Sequence, residues 1–287
     1  MILNEKFTLS NGVEIPKLGL GTWLIDNDDV VETVKAAIEI GYRHIDTAQA
    51  YQNESGVGKG IRESGVNRED IFVTSKIAAE LKSYDEAAAS IDETLKKMEL
   101  DYIDLMIIHS PKPWKEFHGD DHYLEGNREV WRALEDAYEA GKVKAIGLSN
   151  FEKVDIENIL ESCSLKPMIN QILAHIGNTP EELINYTQDK GILVEAYSPI
   201  GHGKLFNKDQ VVEIAEKYNV SVPQLGIRYD LQLGLLPLPK SGNPDHIKSN
   251  AELDFTISEE DMEVLKGIEN IDYEDASMFP VYGGELD

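Results

Sequence analysis

Asp46, Tyr51, Lys76 and His109 stand at or just past the ends of three short apolar runs: HID at 44–46, IFVTS at 71–75 and IDLMIIH at 103–109. Together these four residue types can move a proton. A lysine ammonium beside a phenol favours the phenolate and lowers the tyrosine pKa from its reference near 10. A carboxylate such as Asp46 would hold that lysine charged, and Tyr51, five residues on in DTAQAY, could fold back to meet both. A tyrosine tuned in this way can donate a proton near neutral pH. His109 could orient a substrate oxygen through a hydrogen bond. The other run ends carry Trp23, Ser149-Asn150, Gln171, Tyr197 and Lys240. Any one of these alone reads as a cap or a surface group. Gathered at one rim, they describe an active site.

Other chemistries find less support. No G-x-S-x-G elbow marks a serine nucleophile. His118 and His122 lack the companions of a ligand set, so no metal is expected. The lone Cys163, in ILESCSLKP at a helix end, cannot form an internal disulfide.

The elements that must position these groups follow from the apolar pattern. The chain opens as a hairpin, KFTL and VEIP about Asn11-Gly12. Eight short runs come next: LGLG at 18–21, the three above, AIGLS at 145–149, MINQ at 168–171, ILVEAY at 192–197 and LLPLP at 235–239. Helical spacing fills the intervals, with Val30, Val31, Val34, Ala37 and Ile38 on one face. Ile91, Leu95 and Met98 form a second face, and Val130, Leu134, Ala137 and Tyr138 a third. Gly41, Gly141 and Gly191 are placed to stop helices. This alternation, without a Pro/Ser-rich linker, predicts an α/β fold: a single (β/α)8 TIM barrel over residues 1–287, with an N-terminal β-hairpin. Pro244 and Asp245 mark an extra helix after strand eight. An open doubly wound sheet is the competing architecture, but Gly19-x-Gly21 runs into TWLIDN and lacks the third glycine of a phosphate fingerprint. The longest irregular stretch, Ser110 to about Gly126, is a candidate functional loop.

Composition narrows the partners. A formal net charge of -26 over 287 residues argues against nucleic acid and anionic membranes. No 18-residue apolar stretch exists and the N-terminus lacks a signal-like run, so a cytoplasmic protein is expected.

The chain resembles the aldo-keto reductases, including the bacterial 2,5-diketo-D-gluconate reductase-like members. GLGTW at 19–23, GYRHIDTA at 41–48 with Tyr51, NESGVGKGI, TSK at 74–76, IHSP and GLSNF at 147–151 occur in the family's order. So do NQ at 170–171, AYSPIG at 196–201 and LPKS at 238–241. The resemblance implies NADPH-dependent reduction of aldehydes or ketones to alcohols by a soluble enzyme, with monomers common. It implies Asp46, Tyr51, Lys76 and His109 as the catalytic four, with Tyr51 the proton donor. Cofactor contacts fall on Gly21, Thr22, Ser149, Asn150, Gln171, Tyr197, Ser198, Lys240, Ser241, His246 and Asn250. Trp23 and Trp114 would line the substrate pocket. The family usually has arginine where His246 stands and often glutamate at Ser249, which implies a modest NADPH preference with some NADH use. Ser110 replaces a common tryptophan, and NQILAHIG lacks a common proline. Two other readings remain: a regulatory protein that keeps cofactor without turnover, and an aldolase with a Schiff-base lysine at Lys76 on the same fold.

Overall fold

The computed structural model describes residues 1–269, 271–274 and 278–286. A two-stranded antiparallel hairpin, β1 (Lys6–Thr8) and β2 (Glu14–Pro16), comes first, in the register Phe7↔Ile15. Gly12 makes its turn at φ 85°, and Asn11 Oδ1 accepts the Val13 amide at 3.1 Å. Asn11 Nδ2 also donates to the Lys144 carbonyl at 3.0 Å, near the start of the barrel's fifth strand. The hairpin therefore sits at the N-terminal end of the barrel, away from the rim that gathers the polar groups.

Eight parallel strands follow in sequential order: β3 (Leu20–Gly21), β4 (His44–Asp46), β5 (Phe72–Ile77), β6 (Ile103–Ile108), β7 (Val143–Ser149), β8 (Ile169–Leu173), β9 (Leu193–Tyr197) and β10 (Leu236–Leu238). The ring closes between the first and last. Gly19 N donates to Pro237 O at 3.3 Å, Gly21 N donates to Pro239 O at 3.0 Å, and Gly21 bridges Lys240. The seam requires glycine at position 19, where a Cβ would lie 2.6 Å from Leu238 Cδ2 and 2.7 Å from His44 Nδ1. The expected (β/α)8 barrel with its hairpin is thus present, and the open sheet is not.

The helices on the outside are α1 (Asp29–Ile40), α2 (Glu54–Glu63), α3 (Tyr84–Met98), α4 (Leu124–Glu139), α5 (Lys153–Leu160), α6 (Glu181–Asp189), α7 (Asp209–Lys217), α8 (Val222–Gln232), α9 (Pro244–Ser249) and α10 (Glu259–Lys266). Each anticipated apolar face turns inward; Val30, Val34, Ile91, Met98, Val130 and Leu134 are all buried. A fully buried aliphatic side chain of this size contributes about 1.5–3 kcal/mol. Gly41, Gly141 and Gly191 take positive φ just past their helices. Two helices follow the last strand. α9 starts at Pro244 with Asn243 Oδ1 accepting the Asp245 amide, and Tyr42 Oη ties it to α1 through Ile247 O. α10 packs with α7 and α8 around Val211, Leu225 and Leu265, a small second core. α7 has no counterpart in the sequence reading.

Two boundaries shift in a way that bears on function. β5 extends to Ile77 because its ladder with β6 continues through Lys76↔Ile107 and Ile77↔Ile108. Lys76 therefore lies inside a strand rather than after it. The 110–126 loop contains a 3-10 turn at Trp114–Glu116, and α4 begins at Leu124, before the loop's expected end.

One buried group works against stability. Asp230, on α8, is wholly inaccessible, and neither carboxylate oxygen has a partner among the described residues. Burial pushes its pKa well above the ordinary carboxylate range, so it folds protonated. An acid raised in this way contributes stability that is complete below the unfolded value near 4 and is lost as pH rises toward the folded one. Asp230→Leu is expected to raise stability by about 1–3 kcal/mol, with the larger gain at pH 8 and the smaller at pH 5. Urea denaturation at both pH values checks this, and an equal or negative effect at pH 8 would refute it.

Candidate active site

The C-terminal ends of the strands surround a cavity of about 530 Å³, within the range of small-molecule sites. Asp46 ends β4, and Tyr51 ends the 3-10 turn Gln49–Tyr51 that follows it. That turn is fixed from below, since Gln49 Oε1 accepts the Ala78 amide at 2.8 Å and Gln49 Nε2 donates to Ser90 O and Thr94 Oγ1. The fully buried Asn53 side chain then ties the segment to the β3–α1 loop through Thr22 O and Ile25 O, both at 2.9 Å. These contacts bring Tyr51 back over the rim.

Lys76 lies beneath, fully buried, and reaches the cavity only through its neighbours. Its Nζ donates to Asp46 Oδ1 at 2.5 Å, to Thr47 O at 2.8 Å and to Tyr51 Oη at 3.3 Å. Burial opposes the lysine charge, but Asp46 and Tyr51 outweigh it and hold the pKa above the ordinary lysine value. For Tyr51 the direction differs from the sequence expectation. Burial raises its pKa, and although Lys76 pulls it down, Asp46 adds to the rise, so the phenol stays protonated above its reference value. The sequence pattern contains the ammonium's pull but not the cost of burying a phenolate.

His109, one residue past β6, meets the Tyr51 ring edge-on at 5.6 Å and the Trp114 ring at 5.1 Å. Burial, aided by the Lys76 charge, pushes its pKa well below the usual value, so the imidazole is neutral. Its Nδ1 is buried without a partner among the described residues.

The next strands furnish a second polar cluster. Ser149 and Asn150 end β7, Gln171 lies on β8, and Tyr197 and Ser198 end β9. Asn150 and Ser198 both adopt left-handed backbones, at φ 59° and 54°. Such conformations cost energy and gather at functional sites. Asn150 Nδ2 donates to His109 O and Ser149 Oγ, and its Oδ1 accepts from Tyr197 Oη at 2.7 Å. Thr22 Oγ1 donates to the Asp46 carbonyl, so it braces the rim. Gly21 and Lys240 border the cavity at the barrel seam. Ser241, His246 and Asn250 do not line it; they lie further along the segment after β10, with His246 exposed on α9 and Asn250 buried at its end.

Aromatic side chains form the walls. Trp23 and Trp114 face the cavity as expected, and Phe279 bridges them at ring distances of 5.5 and 4.9 Å. Tyr282 stacks near Trp23, and His202 meets both edge-on. The tail that carries Phe279 and Tyr282 is anchored by Tyr282 Oη with Ser198 Oγ at 2.7 Å and Tyr273 Oη with His175 Nε2 at 2.8 Å. Phe279 and Tyr282 have no place among the sequence-predicted site residues, because nothing local says that a tail crosses a rim. The 110–126 loop is pinned at both ends: Lys82 Nζ donates to Ser110 O and Asn127 Oδ1, each at 3.0 Å. His122 pairs with Asp155, and no metal-ligating group of three exists among the described residues. No described helix is long and apolar enough to cross a membrane.

Glu195 is the polar residue that sequence reading missed. It is completely buried on β9, and Gln171 Nε2 donates to its Oε2 at 2.8 Å and to Asp46 Oδ2 at 2.9 Å. Burial, then the Asp46 charge, pushes its pKa up to about 8. The available signal was alternation: Glu195 shares the inward face of its strand with Tyr197.

Comparison with known proteins agrees with this geometry. A sequence profile described as the Aldo/keto reductase family matches residues 17–270. The chain is 43% identical over 268 residues to a glyoxal reductase of Bacillus subtilis (strain 168), covering 93% of each protein. It superposes on the crystal structure of an aldo/keto reductase from Brucella melitensis with a TM-score of 0.86 at 38% identity, covering 94% of this chain and 99% of the other. A Bombyx mori aldo-keto reductase in complex with NADP gives 0.83 at 35% identity, covering 97% and 98%. With a profile match over most of its length and relatives and structural neighbours of this kind, the chain belongs to the aldo/keto reductase family of oxidoreductases.

Proposed function

We propose that this chain is an NADPH-dependent reductase of small aldehydes and α-dicarbonyls, acting through Asp46, Tyr51, Lys76 and His109. One observation carries the reading. Tyr51 lines a largely apolar cavity while a buried, carboxylate-paired ammonium donates to its Oη at 3.3 Å. The phenol holds the proton that a developing alkoxide requires. Lys76 stabilises the phenolate left behind, Asp46 keeps Lys76 charged and in place, and neutral His109 offers a hydrogen bond to the carbonyl oxygen. When bound, NADPH supplies the hydride.

The residues present fit that cofactor. Gln171 borders the cavity, and no described group donates to its Oε1, so it is free to accept from a carboxamide. The Ser149 hydroxyl is free to donate, and the Tyr197 ring lines the same wall. Lys240 stands exposed at the edge as a point charge for phosphate, with Ser241, His246 and Asn250 beyond it. Apolar walls of Trp23, Trp114, Phe279 and Tyr282 favour compact carbonyls over polyhydroxylated acids, and the net charge of -26 disfavours anionic substrates. The glyoxal reductase relative points the same way. A cytoplasmic monomer, folded as one domain, accords with this reading. Purified protein should oxidise NADPH in the presence of glyoxal or methylglyoxal. NADPH binding without turnover across a broad carbonyl panel would favour a regulatory role instead.

His246 sets the strength of the cofactor preference. Arginine would grip a 2′-phosphate with a permanent forked charge, which imidazole lacks. His246→Arg is expected to tighten NADPH binding at least about tenfold, on the scale of one charge-assisted hydrogen bond. NADH binding should be unchanged, and the parent should show measurable NADH activity. Fluorescence titration with both cofactors tests this, and equal effects on both would remove His246 from the phosphate site.

A further inference from the structure

Inside the barrel, beneath Gln171, two carboxyl groups converge on one amide nitrogen. Gln171 Nε2 has two hydrogens, and the acceptors around it are Asp46 Oδ2 at 2.9 Å and Glu195 Oε2 at 2.8 Å. The orientation of the amide follows from this chemistry. If the group were turned over, its carbonyl oxygen would face Asp46 Oδ2, an oxygen of the carboxylate paired with Lys76, and would leave that buried acceptor without a donor. All three side chains are buried, on β4, β8 and β9, and Gln171 and Glu195 are direct partners in the parallel ladder. The backbone register therefore delivers the second acceptor. Across the other side of β9, Glu195 pairs in register with Leu236, and Lys76 is the cation that favours its ionised form.

We propose that Glu195 is a positioning residue for the cofactor: together with Asp46 it clamps the Gln171 amide so that Oε1 is presented to the cavity as a fixed acceptor. The inference rests on the reading that NADPH occupies this cavity. Glu195 touches neither substrate nor cofactor and acts only through Gln171. Its Oε2 can accept whether or not the carboxyl keeps its proton, since the other oxygen, Oε1, has no partner among the described residues. The same linkage joins the two halves of the site. Asp46 takes Lys76 on one oxygen and Gln171 on the other, so the amide held for the cofactor and the ammonium held for Tyr51 share one carboxylate.

The test is NADPH titration of the full chain at pH 7, followed by fluorescence, for the parent, Glu195→Leu, Glu195→Gln, Gln171→Met and the Glu195→Leu/Gln171→Met double variant. Glu195→Leu frees the amide to rotate and should weaken NADPH binding about three- to tenfold, the scale of one neutral hydrogen bond. Glu195→Gln keeps an acceptor at the same place and should recover most of the affinity. The double variant should bind no more weakly than Gln171→Met alone, because the glutamate acts through the glutamine. A packing role alone predicts otherwise: leucine would raise the melting temperature and leave Kd untouched. Parent-like affinity in Glu195→Leu, or losses that add in the double variant, overturns the proposal. Should the leucine variants fail to fold, the glutamine variant decides, and a tenfold loss there counts against an acceptor role. A parent that does not bind NADPH at all overturns the functional reading itself, an outcome distinct from a parent that binds and a leucine variant that binds equally well.

Discussion

Tyr51→Phe is expected to lower kcat by at least about 10²–10⁴-fold, the contribution usual for a positioned general acid, while NADPH binding stays within about twofold. Among the described residues, the phenol is the only group at the cavity floor that both carries a transferable proton and lies against the lysine, at 3.3 Å. No other side chain there substitutes easily. His109 is held neutral by burial and by the nearby lysine, and Lys76 is screened from the cavity. The ring remains, so packing against His109 and the cation-π contact with Lys76, 4.8 Å from the ring centroid, are kept. The loss should therefore appear in kcat and not in the melting temperature. Steady-state kinetics with methylglyoxal, beside a fluorescence titration with NADPH, separates the two. A phenylalanine variant with near-parental kcat would transfer the proton to another donor and end the assignment.

Lys76→Met carries the second large effect, this time on both stability and turnover. Lys76 and Asp46 form an ion pair that is almost wholly inaccessible, with a separation of 2.5 Å. Deleting one partner of such a pair leaves an uncompensated buried charge and typically costs about 3–5 kcal/mol. Removing both can be nearly neutral, since the desolvation of the remaining partner disappears with it. The Asp46→Asn/Lys76→Met double variant should thus recover most of the stability lost in Lys76→Met. It should not recover turnover, because nothing then stabilises the phenolate at Tyr51. Urea denaturation and kcat measured on the same three proteins check this. If Lys76→Met unfolds at the parental urea concentration, the pair contributes no stability. If the double variant turns over normally, the lysine has no part in the proton transfer.

The pattern of apolar runs was enough to place all eight barrel strands and the hairpin, because strand periodicity and the Asn11-Gly12 turn are local properties. The rim groups were equally legible, since a strand end is a position in sequence and residues there of the right type are few. Less legible was anything that depends on distance from water. The β5 boundary was read one turn of the ladder short because its continuation is set by pairing with β6 rather than by its own residues. The direction of the Tyr51 shift was read from its charged neighbour alone, whereas burial has the larger effect.

Sequence alone determined which side chains could meet: a barrel strand has a period of two and a fixed polarity, so Asp46, His109, Gln171 and Tyr197 were bound to share one end. Tertiary structure decided what they do to one another. It brought Asp46, from across the barrel, within hydrogen-bonding distance of the amide that Glu195 also holds from the neighbouring strand, and laid Phe279 and Tyr282 from the tail across Trp23 and Trp114. Neither result is encoded in a window of neighbouring residues. Both arise because closing the barrel brings distant strands and a terminal segment around one cavity, where the exclusion of water, a property of the whole fold, sets the direction in which Tyr51, His109 and Glu195 titrate.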